Sequence, residues 1–565
     1  MENEEVRELA EKYALQNAVK YESDAETGSV MGKLMGEHPE LRERGDEVAG
    51  VVNEAVRSVN SLSVEERKNR LDEIAPELIE ELEEDEAEED KGLPELPNVG
   101  EEVVMRFAPN PNGPPTLGSA RGMVVNDEYV KEYDGRFILR FDDTDPVNKR
   151  PVPEAYDWFT EDAEWLGIDI HDVYRASDRV ETYYEYAERL IERGGAYVCH
   201  CGQDEFSELK NEGQACPHRN RPVEENLEEW NKMVSGEYDE GEAVLRVKTD
   251  IEHKNPALRD WVALRIVKTP HPLAGDRYNV WPMLDFQSGI DDHLTGVTHI
   301  IRGKDLRNSA GRQKFVYDYF GWEYPETIHW GRVSIEEYGT LSTSSLSQAI
   351  EDGKYEGWDD PRVPTVRALR RRGIQPQAIR DALLDLGVSE ADINFSMDHV
   401  YSKNRKIVDD TANRYFLVRD PVEVSIEDAE PKTARVPLHP DDEERGFRYL
   451  DVDDRIVIEP RDVPEVGERV RLKDLYNVEI TSKDPVRAEY IGNDLSLVRD
   501  EGVDVVHWLP PDALGARLRT PSGDETGLVE GGVRDEEDNI VQFERVGFAR
   551  VENVEDEITA IFSHR

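Results

Sequence analysis

Apolar residues recur at helical spacing from the start of the chain: Val6, Leu9, Ala10, Tyr13 and Ala14 fall on one face. The spacing predicts a helical segment over residues 1–98. It closes on an acidic run, EELEEDEAEED (80–90), and a proline-containing stretch, LPELPN (93–98), that reads as a linker. The rhythm then changes. Val103, Val104, Met105 and Phe107 form a short apolar run, followed by a loop rich in Pro, Asn and Gly. A helical stretch opens at Ser119 and Ala120 and runs through Tyr133. A second apolar run, Phe137 to Phe141, ends in Asp142, Asp143 and Asp145. This is strand, loop, helix, strand, with polar groups gathered at the strand ends, where open α/β sheets bind ligands. Strand and helix patterns alternate to about 345. Residues 346–430 read as helical, VRALRRRGIQPQAIRDALLDLG being the clearest piece. From 431 onward, short alternating runs such as RIVIEP, ERVRLKDL and VQFERVGFARV are separated by Gly, Pro and Asp turns, which predicts β-barrels.

No stretch approaches the ~18 apolar residues that a membrane span needs. The first residues, MENEEVRELAEKYALQ, are charged and lack an apolar leader. The expectation is a soluble, cytoplasmic protein without a membrane partner. The 565 residues suffice for roughly three to five domains. Acids outnumber bases 124 to 69, a net charge of −55, and only 20 of the bases are Lys against 49 Arg. An RNA-binding protein is ordinarily basic, so the acid excess either excludes nucleic acid or reflects the solvent. In molar salt the Debye length falls to ~3 Å and surface carboxylates repel little, while their hydration maintains solubility.

The three cysteines lie between 199 and 216, which argues against a disulfide framework. Cys199 and Cys201, then Cys216 and His218, form two tight ligand pairs, and three thiolates with one imidazole suit tetrahedral zinc. Four protein ligands would make the metal structural. His200, between two cysteines, is not expected as a ligand. The alternative is buried thiols beside an unrelated His.

The run RFAPNPNGPPTLGSARG (106–122) and the run FDDTDP (141–146) carry a family resemblance. Arg106, Phe107, Pro109, Pro111, Gly113, Gly118, Ala120 and Arg121 match, as does all of Asp142 to Pro146. The segment resembles the nucleotide-binding start of class I glutamyl- and glutaminyl-tRNA synthetases, where an Arg-Phe-x-Pro-x-Pro-x-Gly run leads into His-Ile-Gly-His. GIDDHL (289–294) and VTHIIRGKD (297–305) are similar to the family's aspartate-rich helix and the strand after it. WDDPRVPTVRALRRRG (358–373), VPLHPDDEERGFR, VRLKDLYNVEI and VVHWLPPDA resemble archaeal glutamyl and eukaryotic-type glutaminyl enzymes, whose C-terminal barrels grip the anticodon. The likeness spans residues 100–565; the preceding segment is similar to the helical extension of archaeal members. With the acid excess, it points to a haloarchaeal enzyme.

The resemblance implies a multidomain α/β plus β fold. It comprises a helical extension and linker (1–98) and a Rossmann-type catalytic domain (99–345) with a zinc-bearing, acceptor-end-binding insertion (about 195–275). A helical connecting domain (346–430) and paired anticodon-binding barrels (431–565) follow. The implied activity is glutamate activation with ATP and Mg2+, then transfer to the terminal adenosine of tRNA(Glu). Charging of tRNA(Gln) is left open, and the expected state is a monomer. Arg106, Asn110, Asp142 and Arg302 are the implied glutamate-binding residues, Asp142 taking the ammonium group. Arg302 stands where glutaminyl enzymes carry a small neutral residue; a guanidinium grips a γ-carboxylate in a bidentate manner and would be left unpaired by an amide. Pro109, Gly113, Gly118 and Ser119 are implied in ATP binding, and Thr116, Gly118, Ser119, Ser342, Thr343 and Ser344 in catalysis.

Two departures stand out. His-Ile-Gly-His is here Thr116-Leu117-Gly118-Ser119, and the Lys-Met-Ser-Lys-Ser loop is Thr340-Leu341-Ser342-Thr343-Ser344. Thr and Ser donate hydrogen bonds but carry no charge. Lys304, Arg121 and Mg2+ are the candidates to replace it. Leu284 and Ser288 also stand where relatives carry Tyr and Asn. Two other readings stay open: a glutaminyl enzyme, against which Arg302 argues, and a tRNA-binding paralogue without activation chemistry.

Overall fold

The structure is a computed structural model and describes residues 3–21, 24–38, 41, 44–79, 92–338 and 343–565. Helices Asn3–Lys20, Thr27–Glu37, Gly45–Asn60 and Val64–Ile74 pack around Val6, Ala10, Tyr13, Ala14, Val52 and Leu71. The last of them starts at a capping box in which Ser63 and Glu66 satisfy each other's free N–H groups. The acidic run 80–90 lies outside the described residues. LPELPN, expected as a linker, is laid down against Tyr129 and Tyr133 of the α/β unit instead. Leu96 is buried and its N–H donates to Tyr133 Oη at 3.1 Å, while the Pro94 carbonyl accepts from Tyr129 Oη at 2.8 Å.

The central sheet is five-stranded and parallel, formed by β1 (Val104–Phe107), β2 (Arg136–Phe141), β3 (Asp172–Arg175), β4 (His299–Gly303) and β5 (Glu326–Trp330). Their order across the sheet is β3-β2-β1-β4-β5. Covered on both faces, β2 buries Phe137, Ile138, Leu139 and Phe141, which is why it reads as a continuous apolar run rather than an alternating one. Helix α1 (Leu117–Glu132) crosses from β1 to β2 and buries Leu117, Ala120, Met123 and Val124. The winding direction reverses between β1 and β4, and a crevice opens at the carboxyl ends of the strands at such a switch point. Helices α2 (Leu284–Leu294) and α3 (Arg307–Phe320) flank β4 and pack on each other. Between β3 and α2 a separate antiparallel sheet is inserted, formed by Ala196–Cys199, Val244–Val247, Val262–Ile266 and Val280–Pro282.

Helices Thr343–Glu351, Val366–Arg371, Pro376–Leu384 and Met397–Val408 follow. The helical reading of 346–430 does not hold to its end: residues 413–427 are strands. Asn413–Tyr415 and Leu417–Arg419 join a seven-stranded sheet with strands from 514–564, and Val422–Glu427 joins a six-stranded one. Their partners lie far along the chain, so local pattern could not reveal the pairing. The two barrel-like sheets have separate cores. Trp508 and Phe543 are fully buried in them and are not surfaces for stacking bases.

Candidate functional site

A cavity of about 520 Å³ sits at the switch point. Arg106 and Phe107 from β1, Asp142 beyond β2, Ile301 and Arg302 from β4, and Asn110 from the loop after β1 all line it. The four residues expected to hold the amino acid, Arg106, Asn110, Asp142 and Arg302, thus share one wall system although they span nearly 200 positions. Asn110 ties two loops together: its Nδ2 donates to the Asp142 carbonyl at 2.9 Å, and the Asp142 N–H donates to the Pro109 carbonyl at 2.9 Å. Asn110 Oδ1 is buried without a partner among the described residues. Leu284 and Ser288, at the substituted positions, lie on the α2 side.

Asp292 of α2 is the electrostatic hub beneath the cavity. Its Oδ1 accepts from Arg106 Nε at 3.2 Å and from Arg140 Nη1 at 2.7 Å, and its Oδ2 lies 3.9 Å from Arg302 Nη2. Arg140 also donates through Nε to Asp142 Oδ1 at 2.8 Å and lies 3.9 Å from Asp291, which takes a 2.8 Å bond from Arg179. Burial pushes the Asp292 carboxyl up, but Arg106, Arg140 and Arg302 outweigh it and hold the group below its ordinary value. For Asp142 burial wins, and its carboxyl is raised despite Arg140, Gln287 and Arg106. Burial likewise lowers the Arg106 guanidinium, with Asp292 working against it and Arg302 with it.

The family description "tRNA synthetases class I (E and Q), catalytic domain" matches residues 102–410, and the anticodon-binding domain of the same group matches 412–493. The glutamate–tRNA ligase of Methanothrix thermoacetophila is 55% identical over 564 residues, covering 100% of both chains. That of Haloarcula marismortui is 54% identical over 574 residues, covering 99% of this chain and 98% of its own. That of Methanosarcina acetivorans is 53% identical over 561 residues, 98% of each. The chain belongs to the class I glutamyl and glutaminyl tRNA synthetases.

In this synthetase the substituted signature motif is built into a helix cap. Thr116 is the N-cap of α1: its Oγ1 accepts from the Ser119 N–H at 3.3 Å, and Ser119 Oγ accepts from the Thr116 N–H at 2.8 Å. The pair at the two former His positions therefore pre-forms the helix N-terminus, whose dipole favours phosphate. Gly118, between them, is exposed. Thr343 and Ser344 begin helix Thr343–Glu351, while Ser342 lies outside the described residues. The two motif segments meet at Gly113, where an added Cβ would come within 2.6 Å of Thr343 Cγ2 and 2.9 Å of Trp358 Cη2.

Neither protein side chain expected to replace the missing charges is free to do so. Arg121 is buried, lies over the Trp330 ring at 4.4 Å and donates to the Gly387 carbonyl at 2.7 Å; burial lowers its pKa to about 10. Lys304 is paired with Asp392 at 2.8 Å. The cavity is lined instead by Lys149, which is exposed, and by Arg265, which lies 3.2 Å from Asp145. Of the three arginines ending helix Val366–Arg371 and its cap, Arg372 is buried on the Phe562 carbonyl and Tyr401, and Arg371 pairs with Glu552.

In the inserted sheet Cys199, Cys201, Cys216 and His218 converge, their ligand atoms all within 4.8 Å of one another. Cys199 and Cys216 Sγ are 3.9 Å apart, and Cys201 Sγ is 3.5 Å from His218 Nδ1. Three soft thiolates and one imidazole at that spacing fit Zn2+. His200 turns away to Glu229 and the Glu242 carbonyl, at 2.8 and 2.9 Å.

Sequence reasoning passed over Arg140, Asp292, Gln287 and Gln313. Asp292 lay within the aspartate-rich helix motif and Arg140 two residues before Asp142. Their shared geometry exists only after β2, α2 and β4 come together.

Proposed function

We infer that this synthetase is a glutamate–tRNA ligase whose amino-acid pocket is the cavity at the β1, β2 and β4 ends. The observation that carries this is a charge mismatch. Four guanidiniums (Arg106, Arg140, Arg302 and the partly exposed Arg179) are joined through ion pairs to three carboxylates (Asp142, Asp291, Asp292), leaving one positive charge over in the network. L-glutamate carries a net charge of −1 and closes that balance; glutamine is neutral and does not. Asp142 receives the ammonium group, Arg302 and Arg106 take the γ-carboxylate, and Asn110 orients the bound amino acid.

ATP with Mg2+ lies toward α1, over Pro109, Gly113, Gly118 and Ser119. An oxygen of the glutamate α-carboxylate attacks the α-phosphorus and pyrophosphate leaves, giving glutamyl-adenylate. A hydroxyl of the terminal adenosine of tRNA(Glu) then attacks the acyl carbon and AMP leaves. Catalysis is by positioning and electrostatics, with no covalent enzyme intermediate. Thr116, Ser119, Ser342, Thr343 and Ser344 supply hydrogen bonds, and Lys149 and Mg2+ supply the charge that the substituted motifs lack. Cys199, Cys201, Cys216 and His218 hold a structural zinc that fixes the inserted sheet. The barrels receive the anticodon. The enzyme works as a cytoplasmic monomer; among the described residues no helix is long and apolar enough to cross a membrane.

The test is aminoacylation of tRNA(Glu) and tRNA(Gln) transcripts in molar KCl with labelled glutamate and labelled glutamine in parallel. Glutamate transfer is expected and glutamine transfer is not. Glutamine transfer would overturn the role of Arg302. Tight tRNA binding without transfer of either would mean a binding protein without activation chemistry.

A further inference from the structure

Arg302 is hydrogen-bonded by a neutral residue. Gln313, on α3 and fully buried, accepts a hydrogen bond at Oε1 from Arg302 Nη1 at 3.2 Å. The same oxygen accepts from Tyr324 Oη at 2.6 Å, and Gln313 Nε2 donates to Ser288 Oγ on α2 at 3.1 Å. The amide has one possible orientation here. A guanidinium only donates, so the oxygen must face Arg302, and the nitrogen then faces a hydroxyl that can accept. Both ends of the side chain are thereby occupied, and Gln313 and Ser288 line the cavity with Arg302. Among the described residues, Arg302 Nε is buried with no partner, and the Asp292 oxygen nearest to the guanidinium, Oδ2, makes no hydrogen bond. The guanidinium is thus hydrogen-bonded to an amide dipole, while the carboxylate it approaches, Asp292, stands 3.9 Å away and is shared with Arg106 and Arg140.

We propose that Gln313 is a positioning residue for glutamate specificity: it orients Arg302 through a neutral acceptor, so that no further carboxylate beyond the shared Asp292 competes with the substrate γ-carboxylate for the guanidinium. This rests on the reading of Arg302 as the γ-carboxylate partner. A carboxylate at position 313 would orient Arg302 as well, but it would pair with it and remove the surplus charge that distinguishes glutamate from glutamine. A hydrocarbon would keep the charge and lose the aim. The choice of amide separates the two functions, with Ser288 and Tyr324 locking its orientation.

The experiment compares wild type with Gln313→Leu, Gln313→Glu, Ser288→Ala and Arg302→Ala in tRNA aminoacylation at high salt. KM for glutamate, KM for ATP and kcat are measured separately. For Gln313→Leu, KM for glutamate should rise ~10-fold, with KM for ATP unchanged and kcat within ~3-fold. For Gln313→Glu the rise should reach ~100-fold and should lessen as pH falls and the new carboxyl protonates. Ser288→Ala loosens the far end of the amide and should give ~3-fold, which keeps the test alive if either Gln313 variant fails to fold. Unchanged KM for glutamate in the folded variants, with a raised KM in Arg302→Ala, overturns the role of Gln313 alone. Unchanged KM in Arg302→Ala overturns the pocket reading beneath it. Parallel losses in both KM values and kcat would make Gln313 a packing residue and overturn the proposal.

Discussion

Arg106 Nε and Asp292 Oδ1 meet at 3.2 Å beneath the cavity, with both side chains almost entirely withdrawn from water. Asp292 serves two further guanidiniums, so it is the group without which three buried cations lose their common counter-charge. Asp292→Asn should cost about 3–5 kcal/mol of stability, because it leaves buried charge unpaired while changing volume very little. Thermal or denaturant unfolding at neutral pH checks this. A loss below ~1 kcal/mol, the range of surface ion pairs, would contradict the hub role.

Gly113 marks the contact between the two substituted motif segments. A methyl group there would strike Thr343 and the Trp358 ring, displacing the start of helix Thr343–Glu351. Gly113→Ala is expected to raise KM for ATP ~10-fold while leaving KM for glutamate within ~2-fold, as loss of positioning on the nucleotide side should. Steady-state aminoacylation with each substrate varied in turn measures it.

The cysteine cluster should carry metal. Elemental analysis is expected to find one zinc per chain for the Cys199, Cys201, Cys216 and His218 set. Cys201→Ser should lose the zinc and lower the melting temperature, because the loops bearing Cys201 and Cys216 are then held only by their hydrogen bonds. His200→Ala should keep the metal, since its ring is committed to Glu229.

Asp398 makes stability depend on pH. Burial, reinforced by Glu26 and Glu337, raises its carboxyl from 3.8 to about 7, against hydrogen bonds from Ser29 and Asn17. The protonated form is therefore favoured in the folded chain. Its contribution is fully present below about pH 4 and is lost as pH rises through about 7. Asp398→Asn should raise the melting temperature at pH 8 and leave it nearly unchanged at pH 4. Arg405 and Arg565 line a cavity beside Asp398. Equal effects of the substitution at both pH values would contradict the assignment.

The net charge of −55 should make the fold salt-dependent. Raising KCl from about 0.1 M to about 1 M shortens the Debye length from ~10 to ~3 Å and relieves carboxylate repulsion. The melting temperature should rise over that interval and aminoacylation with it. A maximum of both at low salt would show that the acid excess has another cause.

Much of this protein follows from local pattern alone. The β1–α1–β2 unit, the cysteine pairs, the helical N-terminal segment and the strand-rich C-terminal region are legible because each rests on short-range spacing: period-two and period-3.6 burial, turn residues, and ligands two positions apart. Arg106, Asp142 and Arg302 were legible as candidates from the motifs that contain them. Other features required the assembled chain. The strands at 413–419 pair with segments more than a hundred residues away. LPELPN binds the core because Tyr129 and Tyr133 offer hydroxyls to its backbone. Arg121, conspicuous in sequence, is spent on Trp330 and the Gly387 carbonyl. Above all, the hub at Asp292 and the aim of Arg302 by Gln313 are relations among β1, β2, β4, α2 and α3. Their charges come from separate segments, and only folding brings them within reach and out of water, where pairing and its surplus acquire energetic weight.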